Sequence, residues 1–240
     1  MSYNRLIAIG DSFTRGDELA DCPVNSPRKN DYSNSTWPAL LAQKLNLEYH
    51  SRSKGGIGNQ WISWKASAGC KSDTLYVINW TFFERFDYLD VKTNWWTTTH
   101  PRHEDNLNHY FYKNIDSDIW NMLRNLQFMH STLQLLLTHK VAFIMTCIDN
   151  QFKKSFDTIR SNDEFDGTLY NTWNMSITRL QEQIIPYITE FDNMSFIEWA
   201  NHNNFEFGNN GHPLEKAHTE AARYINTLVT EGNLNGYRKT

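Results

Sequence analysis

Cysteine is scarce in this sequence: Cys22, Cys70 and Cys147 are the only three in 240 residues. Three thiols so widely spaced make neither a disulfide framework nor a zinc knuckle. Cys147, inside a strand-like run, reads as a small buried apolar residue. Positive charge is also short, with 23 Lys and Arg against 27 Asp and Glu, a formal net charge of −4. Scattered basic residues on such a chain exclude the basic stripe that nucleic-acid binding requires. No apolar run approaches the length of a membrane span, and no apolar h-region precedes the first strand-like segment. The expectation is a protein synthesised in a reducing cytoplasm, with no membrane or nucleic-acid partner. Association with a larger particle such as a virion stays open, as does the oligomeric state.

Apolar bulk is plentiful. Hydrophobic residues make up 40% of the chain, including nine Trp, eleven Tyr and fourteen Phe. That supplies the core of one α/β domain over residues 1–240. Strand-like and helix-like segments alternate, the signature of a mostly parallel sheet covered on both faces. Strands are expected at Arg5–Ile9, Leu47–Ser51, Leu75–Ile78, Val141–Cys147 and Ser195–Ile197, making a five-stranded sheet in a three-layer α/β/α sandwich. Helices are expected after a Ser35 or Thr36 cap, with Trp37, Leu40, Leu41 and Leu45 on one face, and over about 60–68, 116–139, 169–187 and 214–230. Residues of about 80–115 are aromatic and polar without a clean period. A stretch that long is uncommon unless functional, and it reads as an elaborated lid with short helices. A second loop is expected over about 151–166.

The chemistry-bearing residues gather at strand ends. The apolar run Leu6-Ile7-Ala8-Ile9 stops at Gly10-Asp11-Ser12-Phe13, and a serine there has its hydroxyl lifted out of the sheet. Near the other terminus, Asn209-Asn210-Gly211-His212-Pro213 puts a histidine in a turn before the last helix. In open α/β sheets, ligands bind outside the carboxyl ends of the strands, where the strand order reverses. Ser12, Gly56, Asn79 and the Asp149 loop all follow strand ends, and His212 reaches the same rim. A nucleophile and a general base at one crevice are what acyl transfer needs. Gly-Asp-Ser alone is equally a plain β-turn; the convergence of the other positions carries the argument.

With these blocks in order, the chain resembles the SGNH (GDSL-type) hydrolase family of esterases, lipases and carbohydrate deacetylases. Gly10-Asp11-Ser12-Phe13 matches the first block. Gly55-Gly56-Ile57-Gly58-Asn59 resembles the second, with Gly56 as the equivalent glycine, and Asn209 to Pro213 resembles the last. The resemblance implies a flavodoxin-like fold, Ser12 as nucleophile and His212 as general base. It also implies an oxyanion hole from the Ser12 and Gly56 N–H groups with an Asn side chain after strand 3, and neither metal nor cofactor. The implied substrate is a small-molecule or glycan O-acyl ester.

Two blocks depart from the pattern. The third, usually Gly-x-Asn-Asp, reads Ile78-Asn79-Trp80-Thr81; Asn79 supplies the donor, or Thr81 if the register slips by two. The acid expected three residues before the histidine is Asn209. An amide can hold the imidazole tautomer but cannot stabilise an imidazolium by charge, and in serine proteases that exchange costs ~10⁴ in turnover. Either Asn209 or a carbonyl orients His212, with help from Glu206 or Glu215, or the site is impaired. The alternative function is therefore a binding or structural protein recognising a carbohydrate within a larger assembly. The Asn-rich, aromatic style resembles phage-encoded SGNH-like proteins, which would point to acylated glycans of a bacterial surface.

Other groups weigh less. Gly55 to Gly58 lacks the full dinucleotide-binding spacing. His100, His103, Glu104, Asp105 and His109 lack a metal-ligand spacing and read as a solvated loop. His218 reads as a packing or surface residue, and Asp11 as a residue that shapes its turn. Trp95-Trp96 beside Thr97, Thr98 and Thr99 would make a stacking platform for a sugar ring.

Overall fold

The structure, a computed structural model, describes residues 3–22, 32–101, 106–155, 158 and 167–232. Strands run β1 (Arg5–Ile9), β2 (Glu48–Ser51), β3 (Thr74–Trp80), β4 (Phe86–Asp90), β5 (Trp95–Thr99) and β6 (Ala142–Cys147). Helices run α1 (Ser12–Arg15), α2 (Trp37–Lys44), α3 (Asn59–Ser67), α4 (Asn106–Asn114), α5 (Asp118–Thr138), α6 (Gly167–Ile184), α7 (Phe196–His202) and α8 (Glu215–Glu231). The central sheet is parallel in the order β2-β1-β3-β6, and β4 and β5 pair as a separate antiparallel hairpin. Strand order reverses between β1 and β3, so the crevice opens beyond Ile9 and Trp80.

β3 and β6 are buried along their whole length and β1 along all but Arg5, as a parallel sheet covered on both faces requires. Alternate residues still divide between two cores. Ile7, Ile9, Tyr76, Ile78, Trp80 and Phe143 pack with Trp61 and Ile62 of α3 and with Met122, Leu126 and Met129 of α5. Leu6, Ala8, Leu75, Val77 and Ile144 pack with Trp37 and Leu41 of α2, Phe196 and Trp199 of α7, and Ala221 and Ile225 of α8. This is a three-layer α/β/α sandwich.

Helix ends follow local chemistry. Ser117 caps α5 by accepting from the Trp120 N–H at 3.1 Å. Thr36 stands at the α2 N-cap position but its side chain makes no capping bond. The Trp37 N–H is taken instead by His218 Nδ1 of α8 at 3.1 Å. Gly232, at φ +75°, closes α8.

The sheet has four strands, where five were expected. Ser195–Ile197 is the entry to α7: the Ser195 hydroxyl accepts from the Glu198 N–H, and the Glu198 carboxylate accepts from the Ser195 N–H. This capping box outweighs the β propensity of two apolar residues. On the β6 edge a fifth strand is reduced to one bridge, Ile188 to Met145, with Thr189 N–H donating to the Met145 carbonyl at 2.7 Å. The stretch expected as a lid holds the β4–β5 hairpin and α4, with Phe86 stacked on Phe111 at 4.7 Å. In the loop after β6, a 3₁₀ turn covers Gln151–Lys153, while residues 156–157 and 159–166 lie outside the described residues. Among the described residues, no helix is long and apolar enough to cross a membrane.

Candidate active site

The end of β1 is built for a sharp turn. A Cβ on Gly10 would stand 2.1 Å from Thr14 Oγ1, so only glycine fits. Asp11 then caps α1, its Oδ1 accepting from the Phe13 N–H at 3.1 Å. Its other oxygen accepts from Thr81 Oγ1 at 2.6 Å and from Arg85 Nη1 at 2.8 Å. Arg85 Nη1 also donates to the Ile57 carbonyl at 2.9 Å. Asp11 and Arg85 are both buried, and their pairing ties the end of β1 to the segment after β3 and to the glycine turn. Breaking such a pair from one side typically costs about 3–5 kcal/mol. Ser12, at the first position of α1, is thereby held rigidly at the rim with 6% of its surface exposed.

His212 comes to Ser12 from the far end of the chain. Its turn is closed by a Phe207–Pro213 bridge and by Gly208 N–H donating to the His212 carbonyl at 2.8 Å. The imidazole packs on Phe13 with ring centroids 4.7 Å apart. His212 Nε2 lies 2.8 Å from Ser12 Oγ, and His212 Nδ1 lies 2.7 Å from Glu18 Oε2. A carboxylate can only accept, so Nδ1 carries the proton and Nε2 presents its lone pair to the serine hydroxyl.

Glu18 is the member that sequence reasoning missed. It sits in the loop after α1 with backbone φ +73°, a costly conformation for a non-glycine residue. Its carboxylate also accepts from the Asn210 N–H at 2.9 Å and the His212 N–H at 3.4 Å. A Cβ on Gly208 would stand 2.6 Å from Glu18 Cδ, so glycine is what lets the carboxylate in under the histidine turn. Burial raises the Glu18 carboxyl, but the His212 and Asn210 hydrogen bonds outweigh it and hold the group below the ordinary value. A second tether, Ala20 N–H to Glu215 Oε1 at 2.8 Å, keeps this loop against α8. Gly16-Asp17-Glu18 directly after the Ser12 turn was the available signal, and a weak one.

Several expectations are corrected. Asn209 is exposed, and the partner of His212 Nδ1 is Glu18. Glu206 is exposed and Glu215 is bonded to Ala20. Asn79 does not face the crevice: β3 continues to Trp80, pairing with Cys147, so Asn79 is an interior strand residue. Its Nδ2 donates to Thr14 Oγ1 at 3.2 Å and its Oδ1 accepts from Thr146 Oγ1 at 2.9 Å. Thr81 is the first residue beyond the strand, yet its hydroxyl is taken by Asp11 and its N–H by Asn59 Oδ1 at 2.8 Å.

The remaining candidate donors are main-chain. Among the described residues, the N–H groups of Ser12 and Gly56 have no hydrogen-bond acceptor. Gly56 is exposed at φ +72° with open space around its Cα. Asp17 borders this rim: burial pushes its carboxyl up, against the pull of Arg15 and His212. His218 is buried, bonded to Trp37 N–H and Pro213, and points away from solvent. Of the histidine-rich segment, His103, Glu104 and Asp105 lie outside the described residues.

No family profile matches the sequence, and no curated protein does. Solved structures do match. The chain is similar to TesA at 13% identity, with a TM-score of 0.51, over 95% of this chain and 98% of that one. It is similar to a carbohydrate esterase whose active site displays divergent catalytic and non-catalytic binding functions, at 12% identity and a TM-score of 0.50, over 96% and 70% of the two chains. A protein assigned to the G-D-S-L family, from Desulfitobacterium hafniense, matches at 13% identity and a TM-score of 0.43, over 94% and 99%. Against longer neighbours the chain spans 59% to 70% of the other protein. At such identities the likeness is one of fold, the α/β/α sandwich around a parallel sheet.

Proposed function

We propose that this protein is a serine hydrolase that cleaves an O-linked acyl ester through an acyl-enzyme on Ser12. The observation that carries the reading is the continuous relay Ser12 Oγ–His212 Nε2, His212 Nδ1–Glu18 Oε2, at 2.8 and 2.7 Å. Ser12 Oγ attacks the ester carbonyl carbon while its proton passes to His212 Nε2. The resulting imidazolium is stabilised by the Glu18 carboxylate, the charge that an amide at Asn209 could not provide. The oxyanion of the tetrahedral intermediate is received by the Ser12 and Gly56 N–H groups. As the C–O bond breaks, His212 returns the proton to the leaving alcohol. Water then repeats the sequence on the acyl-enzyme and releases the carboxylic acid. No step calls for a metal or a cofactor.

One observation favours a second reading, a binding protein with little turnover that recognises a carbohydrate within a larger assembly, a virion being one such setting. Both side chains expected as the third oxyanion donor are turned inward, and losing one such donor typically costs ~10²–10³ in rate. Release of p-nitrophenol from p-nitrophenyl acetate separates the two. The hydrolase reading expects turnover by the wild-type protein that Ser12→Ala abolishes, and fluorophosphonate labelling that disappears in His212→Ala. Equal background rates for wild type and Ser12→Ala would leave the binding reading.

A further inference from the structure

The β4–β5 hairpin is fastened rigidly beside the candidate active site. Asp87 of β4 accepts from the Gly58 N–H at 2.8 Å, the Trp61 N–H at 2.9 Å and the Thr98 hydroxyl at 2.6 Å. Arg124 of α5 donates to the Phe83 and Arg85 carbonyls at 3.2 and 3.0 Å. Between the hairpin and the glycine turn opens a cleft of about 600 Å³, whose lining includes Lys54, Gly56, Thr93, Trp95, Trp96 and Thr97. Its volume lies in the range of small-molecule sites, roughly 300–1,000 Å³. Trp96 is half-buried and packs against Trp64 with centroids 5.5 Å apart, whereas Trp95 is 56% exposed. Lys54 spans the cleft, its Nζ 5.9 Å from the Trp95 ring centroid and donating to the Trp96 carbonyl at 3.0 Å.

We propose that this cleft seats a pyranose ring of an acylated glycan, with the C–H face of the sugar on the Trp95 indole. The part of the inference that concerns the ester rests on the hydrolase reading; the binding of the sugar does not. A pyranose offers an apolar face and a rim of hydroxyls, and the cleft offers aromatic surface beside threonine hydroxyls, an ammonium and main-chain groups. An acyl chain would find its path interrupted by Thr93, Thr97 and Lys54. A phosphate would meet a cation already bonded to a carbonyl and facing the Asp87 charge. Gly56 belongs both to this lining and to the proposed oxyanion donors, and the Lys54 N–H donates to the Gly10 carbonyl at 3.2 Å, so on the hydrolase reading the cleft adjoins the Gly10–Ser12 turn.

Titration calorimetry tests this without requiring turnover, on a Ser12→Ala background that cannot form an acyl-enzyme. The probe is methyl 6-O-acetylglucoside, which keeps its ring hydroxyls, with triacetin as an acetyl ester lacking the ring. The expected result is saturable binding of the sugar acetate, weakened at least tenfold by Trp95→Ala and restored to within about threefold by Trp95→Phe. Triacetin should show no dependence on residue 95. Circular dichroism melting checks that each variant is folded. Absence of sugar-acetate binding, or equal affinity with and without Trp95, overturns the proposal. Turnover of p-nitrophenyl acetate by the wild type reports the hydrolase reading separately, so either inference can fall while the other stands.

Discussion

At the scale of single residues, the site turns on which group meets His212 Nδ1. Glu18 reaches it from a position of backbone strain, and four N–H groups, the Nδ1–H, the main-chain N–H of Asn210 and His212 and the Asn210 side-chain amide, converge on its carboxylate. Replacing Glu18 by Gln keeps an acceptor but removes the charge and sets an amide NH₂ among those donors. We expect Glu18→Gln to lower kcat on p-nitrophenyl acetate by about 10²–10⁴ with KM changed less than threefold. Asn209→Asp, at an exposed position while Glu18 holds the imidazole Nδ1, should leave both parameters within about twofold. Steady-state kinetics on the two variants decide it, and a gain of turnover in Asn209→Asp would return the orienting role to the residue expected from the sequence. The meeting of Ser12 and His212 was legible because each sits where a short motif puts it. Glu18 was not, since its pairing with residue 212 joins opposite ends of the chain and has no fixed spacing.

At the scale of elements, termini and edges are finished by residues distant in sequence. Gly58 stands at the N-cap position before helix α3 and has no side chain with which to cap it, and a Cβ there would stand 2.9 Å from Asp87 Oδ2. Asp87 supplies the cap from another element, so a single carboxylate holds the helix, the glycine turn and the hairpin together. Asp87→Ala would leave the buried N–H groups of Gly58 and Trp61 without partners, a cost of about 1–3 kcal/mol for each such group. Urea denaturation should therefore show a loss of roughly 2–6 kcal/mol; a loss under 1 kcal/mol would mean that water replaces the carboxylate. Apolar periodicity made most strands and helices readable. It misread Ser195–Ile197, where the Ser195–Glu198 capping box decided for a helix, and it found no period in the hairpin because those strands present aromatic and polar residues to both sides.

At the scale of the whole molecule, buried titratable groups join elements distant in sequence and set the pH response. His218 of α8 accepts from the start of α2 and is bonded to Pro213, next to His212. Burial first, and the His212 charge second, hold its pKa down at about 3, against 6.5 for the free side chain. The unfolded chain thus binds a proton that the folded protein refuses between those values. Stability from this group is complete above pH 6.5 and declines as the pH falls towards 3, by about 1.4 kcal/mol per unit. Asp149 acts with the opposite sign: burial raises it to about 7 from 3.8, so its contribution is lost as the pH rises through that window. Comparing wild type with His218→Gln by urea denaturation from pH 7 to 4 isolates the histidine. The variant should lack the acid-side decline, and parallel curves for the two proteins would refute the assignment.

The sequence by itself determined the layered α/β architecture, because apolar period and strand-end glycines are local and survive without coordinates. It also marked Ser12, Gly56 and His212, whose motifs lie at predictable strand and helix ends. Tertiary structure alone decided which carboxylate serves the histidine, that Asn79 and Thr81 turn inward, and that Trp95 borders Gly56. Each of these depends on side-chain contacts between residues far apart in the chain, and no pattern of neighbours in the sequence encodes where a side chain is spent.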